Sequence, residues 1–363
     1  MTANAQDGSA AQNTSSVFLE EQKSNHDTGH VAPCPQSKAR ETGKRSKIDT
    51  ATEFTKENNV AIVLGYFEGK PFIEEQLNSI FNQTHSSHHV FLCDDQSRQP
   101  FAINEHRFKN GDLAKLSICK RSENVGFSSN FLTGLSDITD DFDYFAFSDQ
   151  DDVWHRDKLD RAIKALGTVS VNTPALYCAR TEISDAKCKQ TLGFSPLFTK
   201  PPSFANALVQ SISGGNTMVF NRAAKNLIVE ASLNTPVVSH DWWCYQIITG
   251  AGGYVIYDPE PCLKYRQHGK NQIGANNNWR ARLVRLRSLL QGQFRTWNSI
   301  NLKALVDHKH LLTNDNQKTL NDFIAVRHAS LARRLVFSKR AGIYRQTLLG
   351  NVGLLFGIIL NKV

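Results

Sequence analysis

What this 363-residue chain lacks already narrows its function. Its seven cysteines, Cys34, Cys93, Cys119, Cys178, Cys188, Cys244 and Cys262, include no CxxC pair, so a zinc site built on cysteine is not expected. Several lie in apolar runs such as VFLC and LSIC and read as reduced core thiols of a cytoplasmic protein. The first residues, MTANAQDGSAAQ, have neither the basic start nor the apolar stretch of a secretory signal, and no export is expected. No apolar run reaches the ~20 residues that cross a bilayer. The final one, Leu348 to Leu360, has 13 residues and contains Asn351 and three glycines, which suits peripheral attachment and not insertion. No internal repeat is present.

What is present is a 40% hydrophobic chain, enough for one large catalytic domain or two modest ones with a buried core. Residues 1–57 are rich in Ser, Thr, Asn, Gln, Lys and Glu and read as a disordered tail, because they offer too little apolar surface to offset ordering entropy. The net charge of +8 is unevenly spread, with 15 Lys and Arg against 3 Asp and Glu over residues 279–363. All the excess positive charge therefore sits in the last quarter, where it can face an anionic membrane or nucleic acid.

Order is expected from Val60 onward. VAIVL is a short apolar run without alternation, as in a strand buried on both faces, and Phe72, Ile73, Leu77, Ile80 and Phe81 then recur at helical spacing. The alternation continues with strands at 90–95, 116–121 and 144–149, a helix at 127–135 and another starting near His155. Such alternation predicts a mostly parallel α/β sheet covered by helices. From about residue 175 the pattern is mixed, with strands in ALYCARTEI and GNTMVFN, helices in AAKNLIVEA and HDWWCYQIITGA, and two short strands in GYVIYDPEPCLKYRQH. Beyond Trp279 it is helical. In parallel sheets ligands bind beyond the carboxyl ends of the strands, and that is where Tyr66, Glu68, Asp94, Asp95, Asn124, Gly126, Asp149, Asp151 and Asp152 fall.

FSDQDDVW is the most informative segment. Three carboxylates within four positions repel one another, so they point to a hard divalent cation, Mg²⁺ or Mn²⁺, whose shell substrate phosphates complete. The alternative is an Asp-rich helix start, with Asp151 or Asp152 as the cap.

VAIVLGYFEG, FLCDDQS, SENVGFSSN, FSDQDDVW, SGGNTMVFNR, SHDWW and YRQH occur in an order and at a spacing that resemble family-two glycosyltransferases of the GT-A fold, over about residues 58–270. SDQDDVW with HDWW and YRQHGKNQIG is most similar to the bacterial rhamnosyltransferase-type branch, whose members decorate surface polysaccharides. The resemblance implies a GT-A type, Rossmann-like, mostly parallel mixed sheet at 58–278, followed by a basic helical region at 279–363. It implies a nucleoside diphosphate sugar donor, dTDP-rhamnose by preference, and a saccharide or lipid-linked saccharide acceptor.

Residue by residue, Asp94 or Asp95 would accept from the nucleobase, and either could instead be a turn residue. Tyr66 and Glu68 would line base and ribose, although Phe67 stands where the family has a small polar residue. Asn124, Gly126 and Asn130 match the segment leading into the helix below the nucleotide, or an ordinary helix start. Asp149 and Asp151 correspond to the DxD motif, with Asp151 the better metal ligand and Asp149 a metal or ribose contact. His268 would complete the metal site. Asp241 would be the base that takes the acceptor proton, which implies one in-line displacement with inversion; otherwise it caps its helix. Trp154 and Trp242 are candidates for stacking on acceptor sugars, and Gly214, Gly215 and Asn216 would let backbone approach the substrate, or form a bulge.

In WRARLVRLRSLLQGQFR, Leu283, Leu286, Leu289, Leu290 and Phe294 share a helical face between Arg280, Arg282, Arg285, Arg287 and Arg295. The pattern suits a helix on an anionic leaflet at the inner face of the plasma membrane, or a core-packed helix with solvated arginines. A nucleotidyltransferase would need a phosphate loop richer than YFEGK. Base-stacking aromatics are too sparse in the basic part, with Phe294 and Trp297 the main ones, for nucleic acid to be the expected partner.

Overall fold

The computed structural model describes residues 58–268 and 292–363, except Pro100, Ile103 and Asp140. The expected tail at 1–57 and the arginine-rich stretch 280–291 lie outside the described residues. In chain order the elements are β1 (Val60–Tyr66), α1 (Ile73–Phe81), β2 (His88–Asp94), β3 (Leu116–Lys120), α2 (Phe127–Asp137), β4 (Tyr144–Ser148), β5 (Val153–Trp154) and α3 (Lys158–Leu166). There follow β6 (Ala175–Ala179), β7 (Glu182–Ser184), β8 (Thr191–Phe194), α4 (Phe204–Ala207), β9 (Val219–Asn221), α5 (Arg222–Ser232), α6 (His240–Gly250), β10 (Tyr254–Asp258) and β11 (Leu263–Arg266). The last four helices are α7 (Gln293–Asp307), α8 (Asn314–His328), α9 (Leu331–Arg340) and α10 (Leu348–Ile359).

Seven strands form the main sheet in the order β10-β6-β9-β4-β1-β2-β3. All neighbours are parallel except β9, which runs antiparallel to both β4 and β6. The mixed, mostly parallel sheet is the one the strand–helix alternation predicts. β1 shows why: Val60, Ile62 and Leu64 enter the core on one face with Leu77, Ile80 and Leu159, whereas Ala61 and Val63 enter the other with Phe131 and Leu135. Both faces are buried, so the strand carries no polar alternation.

The helices after residue 292 continue the second core. Leu302 and Leu305 of α7, Leu320 and Phe323 of α8, and Leu354 and Ile358 of α10 join Trp243 and Ile247 of α6. Phe294 stacks on Trp242 with ring centroids 6.2 Å apart, and an Arg295 guanidinium N–H donates to the carbonyl of Asn361. The two described members of the basic stretch are thus engaged with the protein itself. No helix among the described residues is long and apolar enough to cross a membrane. Cys93, Cys178, Cys188, Cys244 and Cys262 are buried free thiols, as expected.

A second sheet, β5-β11-β7-β8, covers one end of the first. β11 pairs antiparallel with β5, setting Lys264 opposite Val153 and Leu263 opposite Trp154. Continuing that pairing carries Arg266 and His268 back along the acidic loop that precedes Val153.

Candidate active site

Register brings the carboxyl ends of four strands to one edge. Tyr66 stands opposite Asp94, Asp94 opposite Lys120, and Leu64 opposite Ser148, so the loops at 67–70, 95–99, 121–126 and 149–152 neighbour one another. Because β9 is antiparallel, it is its beginning that reaches this edge, and the short 3₁₀ turn Gly215–Thr217 just before it meets the acidic loop.

The acidic loop is not a helix start. α3 begins only at Lys158, and the residue before it is Asp157, so neither Asp151 nor Asp152 caps it. The carboxylate of Asp151 lies 2.7 Å from Nε2 of His268, and Arg266 Nε donates to the Asp151 carbonyl at 2.7 Å. The strand pairing above explains how residues more than a hundred positions apart meet. The guanidinium of Arg266 is itself fixed by Glu75 at 2.6 Å and by the Ala186 carbonyl at 2.7 Å.

Asp152 is fully buried: its Oδ2 accepts from Asn216 Nδ2 at 2.6 Å, and its Oδ1 has no hydrogen-bond partner among the described residues. Burial first, and the charge of Asp151 second, raise its pKa. Asp149 is raised well above the usual carboxylate range by burial, then by the charges of Asp152, Asp151 and Asp241, with Lys158 opposing. The Lys158 ammonium, also fully buried, donates to the Asn216 carbonyl at 2.6 Å and sits 3.3 Å from the centre of the Trp154 ring. Desolvation lowers its pKa to about 8.

These donors suit a hard divalent ion. A carboxylate oxygen and an imidazole nitrogen converge, and a buried carboxylate oxygen beside them has no hydrogen-bond partner among the described residues. Among the described residues no three His, Cys, Asp or Glu side chains come together as a ligand set. Phosphate oxygens would have to supply the remaining ligands, as is usual for Mg²⁺ and Mn²⁺.

Asp241 lies in the first turn of α6, where the N–H groups of the helix end favour a negative charge. It is not the cap: Ser239 holds that position, and Oδ1 of Asp241 accepts from the adjacent Trp242 N–H at 2.7 Å. Beside it His240 is buried, stacked on Phe131 at 4.2 Å and edge-on to Phe147 at 5.2 Å, with no hydrogen-bond partner among the described residues for either ring nitrogen. Desolvation lowers its pKa to about 4, so the ring is neutral near pH 7. A Cβ added to Gly215 would stand 2.3 Å from His240 Nε2. Gly215 thus makes room for His240, and its side-chain direction does not face a substrate. Gly215→Ala should lower stability by about 1–3 kcal/mol through overpacking, read from urea unfolding midpoints; an unchanged midpoint would mean His240 moves aside freely.

The loop residues divide. Asp95 spends both carboxylate oxygens on the Val125 and Gly126 N–H groups, at 2.8 and 3.0 Å, and its carbonyl accepts from Asn124 Nδ2 at 2.9 Å. Gly126 takes φ +81°, which a glycine tolerates best, before α2. Asn124 and Gly126 are accordingly held by Asp95 as one turn. Asp94 accepts from the Ser97 N–H at 2.8 Å through Oδ1 alone. Tyr66 is buried against Phe101, and Glu68, at φ +51°, accepts from the Arg98 N–H at 2.9 Å.

Three expectations are corrected. Asn130 does not face a nucleotide: it is buried, donating to the Cys93 carbonyl at 2.8 Å and accepting from Arg121 Nε at 3.2 Å, and so ties α2 to the sheet. Trp154 and Trp242, 3% and 7% exposed, are spent on packing. One ring carries the Lys158 ammonium on its face; the other stacks on Phe294 and donates to the Ala207 carbonyl at 2.7 Å. Neither offers a face to an acceptor.

Gln150 was not singled out by sequence reasoning, yet its side-chain amide bonds both the N–H and the carbonyl of Phe67, at 2.8 and 3.0 Å. Lys158 and Asn216 were likewise passed over as partners of Asp152. An amide inside a run of carboxylates was the available signal for Gln150; nothing local marked the other two.

The profile of glycosyl transferase family 2 matches residues 61–227, which contain the whole strand edge described above except Asp241 and His268. This segment is similar to family 2 glycosyltransferases. The chain is 28% identical over 233 residues to the dTDP-rhamnosyl transferase RfbG of Shigella flexneri, an alignment covering 61% of this chain and 76% of that protein. It is 31% identical over 165 residues to the succinoglycan biosynthesis protein ExoW of Rhizobium meliloti (strain 1021), covering 42% of this chain and 51% of ExoW. Among solved structures, S. aureus TarS 1–349 in complex with UDP-GlcNAc superposes with a TM-score of 0.46 and 12% identity, over 78% of this chain and 89% of that one. The mannosyltransferase PcManGT from Pyrobaculum calidifontis, in complex with GDP-Man and Mn²⁺, gives 0.42 and 16%, over 86% and 88%.

Proposed function

We propose that this glycosyltransferase moves rhamnose, with inversion, from dTDP-rhamnose to a saccharide or lipid-linked saccharide acceptor in surface polysaccharide synthesis. The observation that carries the reading is the packing of α6, with Asp241 in its first turn, through His240 on Phe147 of β4, the strand that runs into the acidic loop. A donor held by its diphosphate at the acidic loop presents its anomeric carbon toward Asp241. An acceptor hydroxyl between the two loses its proton to Asp241 as its oxygen attacks, in one displacement. Asp151 and His268 would hold Mg²⁺ or Mn²⁺, which when bound neutralises charge on the departing diphosphate. Asp149 stands next to them as a ribose or metal contact.

Of the two carboxylates after β2, Asp94 is the better acceptor for a pyrimidine N–H, because Asp95 is committed to the 125–126 turn. Tyr66 and Glu68 flank it on the first-strand loop. The rhamnose donor is supported by the likeness to the dTDP-rhamnosyl transferase RfbG of Shigella flexneri. Work at the cytoplasmic face of the membrane follows from the class of acceptor.

Protection of the purified protein against heat, across a panel of nucleotide sugars with Mn²⁺, tests the donor. dTDP-rhamnose should raise the melting temperature above UDP-hexoses and GDP-mannose, since a ligand stabilises by mass action on the folded state. Stronger protection by a UDP-hexose would replace the donor and leave the reaction class standing.

A further inference from the structure

α10 has two apolar faces. Leu354 and Ile358 enter the core, while Leu348, Leu349, Val352, Leu355, Phe356 and Ile359 recur at the three- and four-residue steps of one opposite stripe and are exposed. Exposure is large: 84% for Leu348, 65% for Leu349 and 56% for Phe356. Next to it α9 exposes Leu331, Leu335 and Val336. The two helices are joined where the Arg334 guanidinium donates to the Ile359 carbonyl at 3.0 Å. An exposed apolar stripe of this size marks an interaction site.

Charge says with what. Residues 329–363 contain six Lys and Arg, namely Arg333, Arg334, Lys339, Arg340, Arg345 and Lys362, and not one Asp or Glu; Arg340 is paired with Asp322 of α8 at 3.2 Å, which still leaves the segment strongly positive. A two-fold contact between copies would set this same basic surface against itself. An anionic leaflet complements it, with apolar side chains at the acyl boundary and cations at the phosphates. At 1.5 Å per residue the helix is roughly 18 Å long, too short to span a bilayer and suited to lying in its surface.

We infer that the exposed face of α9 and α10 is a docking surface for an anionic phospholipid bilayer, separate from residues 280–295 and independent of the sugar-transfer chemistry. Co-sedimentation of the full chain with phosphatidylcholine vesicles, with and without phosphatidylglycerol, tests it without any turnover measurement. The protein should pellet with the anionic vesicles, less so in high salt, and the double variant Leu349→Glu, Phe356→Glu should bind about tenfold or more weakly. Its melting temperature should be unchanged, because both side chains are exposed. If that variant does not fold, Leu348→Gln with Val352→Gln should show the same loss. Equal pelleting of wild type and folded variant, or no pelleting of wild type, overturns the inference. So does a dimer in ultracentrifugation that the variant splits, which would assign the face to a second copy.

Discussion

Asp241→Asn should leave donor affinity nearly intact and cut turnover by about 10²–10⁴, the range for loss of a general base. The amide is close in size and can still accept from the Trp242 N–H, so the first turn of α6 has no reason to unravel. What disappears is the ability to take a proton. Calorimetry with dTDP and a transfer assay separate the two readouts. Normal transfer by the variant would reduce Asp241 to a helix-end charge, and loss of both binding and fold would make it structural. Removing this charge also relieves Asp149, whose pKa it helps to raise, so tighter metal-dependent nucleotide binding in the variant would agree with the same geometry.

Asp151→Asn should abolish metal-dependent nucleotide binding. It replaces a charged oxygen donor by a neutral one in the loop where His268 converges at 2.7 Å, and hard cations depend on carboxylate charge. The Asp151 carbonyl that accepts from Arg266 is unchanged by the substitution, so the loop keeps its backbone anchor. Titration of nucleoside diphosphate with and without Mn²⁺ measures the difference. An affinity that still rises with Mn²⁺ would move the ion away from Asp151.

Much of the sheet was legible because β1, β2 and β4 are apolar runs that only a doubly covered strand requires, and the polar residues following them had to gather at one edge. Residues whose roles depend on distant partners were less legible. Nothing in the neighbourhood of Trp154 or Trp242 distinguishes an indole that stacks on a sugar from one that packs under an ammonium or a phenyl ring. Asn130 sits at a helix start, where a polar residue usually faces outward, yet the buried Cys93 carbonyl takes it inward. The meeting of His268 with Asp151 was anticipated by resemblance; its physical cause, the antiparallel pairing of β5 with β11, could not be read from two strands of two and four residues.

The reversed strand β9 divides the enzyme along its own chain. Every loop that would touch the nucleotide comes from residues 60–152, a continuous stretch, whereas α6 with Asp241 arrives only after the chain has left the sheet, built β7 and β8, and returned through β9. On the proposed assignment, the seam between these two stretches lies between the donor loops and Asp241. A chimera joined just before β6 would exchange the α6 carboxylate while keeping the loops at 67–70, 95–99, 121–126 and 149–152, and so would separate acceptor choice from donor choice.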